Sequence, residues 1–142
     1  MIKILEPLAV YSNIFFLIPL YISFKSQNHV GFFLVASIMI ASILFHIYKP
    51  VGEVWWWDVT SGRTFIQNLF LWLDTVIAIV LFIYVSIIFY KKGSFLIKGI
   101  ALCLGVLGLS ALFFHIIKDN YEYSHALWHF MAAVLISVAF IL

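Results

Sequence analysis

The sequence predicts an all-α bundle of about five membrane-spanning helices, and three observations carry that prediction. The residues are 65% hydrophobic and only 10% charged, the mean hydropathy is +1.15, and the apolar residues fall in long runs separated by short polar breaks. A soluble domain carries about a quarter charged residues, so a chain this apolar suits a hydrocarbon solvent better than water. Its 142 residues are enough for a single transmembrane helical domain over residues 1–142. The formal net charge of +2 is small and dispersed, which argues against a nucleic-acid partner. The lone cysteine, Cys103, lies in an apolar run and has no intrachain partner for a disulfide.

A helix needs about 20 mainly apolar residues to cross the hydrocarbon core. Five runs meet or approach that length: Leu8 to Phe24, Val30 to Tyr48, Ile66 to Tyr90, Phe95 to Ile117 and His125 to Leu142, the last being short. Ahead of the first, Met1 to Pro7 carries Lys3 and Glu6 with no small-residue cleavage site, which reads as a retained helix rather than a signal peptide. Backbone amides in lipid must be satisfied within the segment, and runs of this length are helical rather than barrel strands. Lys25 to His29, Lys91 to Ser94 and Lys118 to Ser124 read as tight turns between antiparallel helices. Tyr121, Glu122 and Tyr123 fall in the last of these and read as solvated, as does His29 in the first.

The longer break, Lys49 to Phe65, contains Pro50, Gly52, Arg63 and the run Trp55, Trp56 and Trp57. Indole rings favour the membrane interface, so this loop reads as an interfacial anchor. Asp58, which follows the tryptophans, reads as water-facing. In the fourth run Ala101, Gly105, Gly108 and Ala111 form a stripe of small residues that reads as a helix-packing surface.

Ionisable side chains within spans are costly and tend to mark function. The second run ends with Ser42 and His46, the third contains Asp74, the fourth ends with His115, and the fifth begins with His125 and His129. Ser42 and His46 are four apart, as are His125 and His129, so each pair projects from one helix face. Alternating the five spans across the membrane brings the ends that carry His46, Asp74, His125 and His129 to the same side. Three neutral imidazoles on Zn²⁺, with the fourth position left to water, form a catalytic donor set and make a nucleophile available near neutral pH. Asp74 is then a candidate proton acceptor or ligand-orienting group, and Ser42 a candidate hydrogen-bond donor to developing charge. His115 reads as an interfacial bystander. Two further classes fit the same histidines: a non-catalytic protein with a structural zinc pin, and a haem or electron-transfer protein with axial histidines.

Ser42-x-x-x-His46, Asp74 in the next span, and His125-Ala-Leu-Trp128-His129 in the last resemble the CREST superfamily of membrane hydrolases. That group includes alkaline ceramidases, adiponectin-type receptors and myomaker. The tryptophan before the second histidine, Trp128, is more similar to the ceramidase and myomaker branches. The resemblance implies a zinc ion on His46, His125 and His129, catalytic Ser42 and Asp74, and a ceramide-like or phospholipid substrate drawn from the bilayer. Members of the superfamily have seven helices where this sequence shows five, and no acidic cluster like that of the alkaline ceramidases accompanies Glu6. Lysines concentrated in the shorter turns on the side opposite the site point to a multi-pass protein whose site faces away from the cytoplasm.

Overall fold

The computed structural model describes residues 7–48, 64–113 and 121–142. Helix α1 spans Pro7–Lys25 and includes a 3₁₀ stretch at Ser12–Phe16. It is followed by α2 (His29–Tyr48), α3 (Phe65–Lys92), α4 (Phe95–Phe113) and α5 (Tyr121–Ile141), with no strand among the described residues. Helices α1, α2, α3 and α5 are long and apolar enough to cross a membrane, while α4 contributes a shorter apolar stretch, Phe95–Ser110. The chain is therefore an all-α bundle of membrane-spanning type. His115, Asp58, Trp55, Trp56, Trp57 and the Lys49 to Arg63 portion of the predicted interfacial loop lie outside the described residues.

Local chemistry fixes the helix ends. Gln27 adopts φ of 55° between α1 and α2, and the Asn28 N–H donates to the Ser23 carbonyl. That wrap satisfies carbonyls left open at the end of α1. The Asn28 carboxamide oxygen then accepts from the Gly31 N–H and from the Tyr84 hydroxyl, tying α1, α2 and α3 together. Thr64 and Gln67 form a reciprocal capping box at the start of α3. The Gln67 carboxamide also donates to the Tyr48 carbonyl at 2.8 Å, holding the end of α2 beside the start of α3.

Phe16, Val35, Ile38, Leu81, Val85, Phe89, Ala133, Ile136 and Phe140 belong to one buried cluster built from α1, α2, α3 and α5. Helix α4 adds only partly buried residues, Ile97 and Ala101, at the edge of this cluster, packing on α5 and only sparsely on α3. The small-residue stripe accordingly divides. A Cβ on Gly108 would lie 3.0 Å from the Trp128 ring, so Gly108 does allow close packing, but a Cβ on Gly105 would meet nothing within 4 Å. At Gly105 the packing expectation is corrected, because α4 has no helix against that face. Apolar side chains such as Phe33, Ile83, Leu96 and Ile141 are exposed on the outside of the bundle, as suits a surface that faces lipid.

Two expectations at the start of the last helix are also corrected. Helix α5 begins at Tyr121 rather than His125, because a polar first turn lowers hydropathy without interrupting backbone hydrogen bonding. Glu122 is not simply solvated, since its carboxylate accepts the Leu8 N–H at 3.1 Å. It serves an open donor at the N-terminus of α1, where negative charge is favoured. His29 is exposed as expected and is the first residue of α2.

Candidate metal centre

The last turn of α2 and the first three turns of α5 bring His46, His125 and His129 together, all three buried and with ligand atoms within 4.8 Å of one another. His46 is wholly inaccessible. The i,i+4 spacing of His125 and His129 places their rings 4.5 Å apart on one face of α5, and the His46 ring lies 4.6 Å from that of His125. The Nε2 atoms of His46 and His125 are 2.9 Å apart. Two imidazole nitrogens on a common tetrahedral ion, each at about 2.0–2.1 Å, would be separated by about 3.4 Å. That pair needs to open by only about 0.5 Å to flank an ion, and the three ligand atoms lie within 4.8 Å of one another.

Ser42 stands one turn before His46 and is buried, with its hydroxyl 3.4 Å from His129 Nε2. Asp74, on α3, is partly buried and lines the same cavity as Ser42, His125 and His129. The structure brings His46, His125 and His129 together as a nitrogen cluster with Ser42 against it, while Asp74 shares the cavity without joining the cluster.

Ser12 was not anticipated from sequence. It lies on the 3₁₀ stretch of α1, is buried, and its Oγ is 2.7 Å from His129 Nδ1. The same hydroxyl donates to the Ala9 carbonyl at 2.9 Å. The adjacent Asn13 carboxamide donates to the carbonyls of Ala9 and Val10. The available signal was a pair of polar residues, Ser12 and Asn13, inside an otherwise apolar span.

The cavity encloses about 440 Å³, within the usual range for small-molecule sites. Its polar end is Ser42, Asp74, His125 and His129, and its walls are largely apolar, with Leu81 and Val85 on α3, Leu102 and Gly105 on α4, and Leu135 on α5. Lining residues on α3 run from Asp74 to Tyr90, a length of about 24 Å at 1.5 Å rise per residue. The cavity is a groove along α3 and α4, headed by the histidine cluster. No protein-family model, curated protein or solved structure matches this chain.

Proposed function

We propose that the chain is a zinc-dependent intramembrane hydrolase that cleaves an amide or ester bond of a lipid. The observation that carries this reading is the position of three converging buried imidazoles at the head of a long apolar groove, with the Ser42 hydroxyl against them and Asp74 lining the same groove. Three nitrogen donors suit zinc and leave a fourth position open, and zinc so held supplies a nucleophile from water near neutral pH. His125 and His129 line the groove, so the cluster faces the space where a substrate would lie. That access favours a catalytic centre over a closed structural pin. The 2.9 Å separation of the His46 and His125 nitrogens leaves no room for a porphyrin between them and favours a single ion over haem.

The roles of the remaining groups follow from position. Ser42 offers a hydroxyl to the charge that develops on a substrate carbonyl oxygen, and Asp74, arriving from α3, accepts the proton released by the attacking water. The apolar walls accommodate a lipid tail, consistent with the resemblance to ceramidase-like CREST proteins. On the lysine distribution, the site opens on the non-cytoplasmic face.

The deciding measurement pairs zinc per chain, by elemental analysis, with turnover of purified protein over a panel of ceramides and phospholipids. Near-stoichiometric zinc with hydrolysis of at least one lipid class is expected; zinc without any turnover would return the site to a structural role. Asp74→Asn should lower turnover by about 10²–10⁴-fold, the range of general-base contributions, while weakening metal binding by no more than the about 10–100-fold typical of outer-shell changes.

Gly105 tests the groove. Because nothing lies within 4 Å of its missing Cβ, the side chain of Gly105→Trp would start in open space and extend among the residues that line the groove. Turnover should shift toward shorter acyl chains by about tenfold or more, the scale on which apolar sites discriminate methylenes, with zinc content unchanged. An unaltered chain-length profile would show that the tail lies elsewhere.

A further inference from the structure

We infer that Ser12 is a positioning residue that selects the metal-binding tautomer of His129. This rests on the metal reading of the histidine cluster. A hydroxyl carries one proton, and Ser12 directs its proton to the Ala9 carbonyl at 2.9 Å. Its Oγ therefore presents a lone pair to His129 Nδ1, 2.7 Å away, and the partner nitrogen must be the one bearing hydrogen. With the proton on Nδ1, the lone pair belongs to Nε2, which points to the Ser42 side of the cluster. A neutral imidazole binds metal through one nitrogen, and the hydrogen bond at the other determines which one.

The position of Ser12 is well suited to that task. It is 4% exposed and His129 equally so, leaving no bulk water to solvate Nδ1 in its place. The 3₁₀ stretch that carries Ser12 packs on α5, Ala9 is fully buried, and Phe16 from the same stretch packs on the His129 ring at 5.5 Å between centroids. Helix α1 thus fixes both the orientation and the protonation pattern of the ligand, although it contributes no ligand itself.

Nitrogen-15 NMR of the histidine rings in metal-free, detergent-solubilised protein reads the tautomer directly, and zinc titration reads its consequence. In the wild type, His129 should be Nδ1-protonated. Ser12→Ala should give a tautomer mixture and weaken zinc binding by about 10–100-fold, the usual cost of losing an outer-shell partner, whereas Ser12→Thr, which keeps the hydroxyl, should retain the wild-type tautomer. Ser23→Ala is the control: the Ser23 hydroxyl is also buried on α1 and donates to the Leu20 carbonyl of its own helix, so its loss should change neither readout. An Nε2-protonated His129 in the wild type, or an unchanged tautomer and zinc affinity in Ser12→Ala, would overturn the assignment. A comparable loss in Ser23→Ala would do the same by reducing the effect to packing. The ring spectra require no bound metal, so a chain that takes up no zinc at all would refute the hydrolase reading separately from the tautomer.

Discussion

Alanine at His125 or His129 is expected to strip most of the zinc from the purified protein. Each substitution removes a direct Zn–N bond and leaves two protein ligands. The affinity loss should exceed the about 10–100-fold seen when only an outer-shell partner is removed. His46→Ala should behave alike, since its nitrogen meets the cluster from the opposing helix. Because an ion bound only by the folded state stabilises it by mass action, wild-type protein should melt higher with zinc than without, and the variants should lose that increment. His29→Ala provides the comparison, as His29 is exposed at the start of α2 and remote in sequence from the cluster. Full zinc occupancy in both His125→Ala and His129→Ala would sink the three-histidine centre, whatever the activities showed.

Ser42→Ala should separate chemistry from metal binding. The hydroxyl is buried and 3.4 Å from His129 Nε2, placing it beside the donor set without making it a ligand in the proposed centre. Zinc per chain should remain near the wild-type value, while turnover falls by about 10²–10³-fold if the hydroxyl stabilises developing negative charge. A matched loss of zinc and turnover would instead make Ser42 a support for the ligands. The pair of measurements must be made on the same preparations, because turnover alone does not distinguish these two roles.

Much of this arrangement is legible in the amino-acid order because lipid imposes simple constraints. The long apolar runs are helices, and the i,i+4 spacings of Ser42 with His46 and of His125 with His129 set common faces. The parity of the spans was enough to place His46 and His125 at one end. Ser12 was less legible, since a serine inside a helix can satisfy itself on a carbonyl three or four residues back and then looks inert. Only the docking of α1 on α5 shows that its oxygen also reaches His129. The stripe at Gly105 and Gly108 failed as a single unit for a related reason: small residues permit close approach, but only Trp128 arriving beside Gly108 turns that permission into a contact. The start of α5 was misplaced because Glu122 lowers local hydropathy, whereas its carboxylate finds the Leu8 N–H 114 residues away.

The Ser12 and Asn13 bonds to the preceding turn also bear on how the chain is made. His46 and His125 are separated by 79 residues, so at about 5–20 residues per second the first ligand waits roughly 4–16 s for the second to leave the ribosome. Throughout that interval α1 is a newborn helix carrying two polar side chains with α5 not yet synthesised. Their donors, the Ser12 hydroxyl and the Asn13 amide, are already satisfied on carbonyls of the preceding turn, so α1 can enter the bilayer with no side-chain N–H or O–H donor unmet before its partner exists. Arrival of α5 then adds a contact to the Ser12 oxygen while leaving its bond to Ala9 in place, so assembly of the centre does not require the Ser12 hydroxyl to be stranded in lipid first.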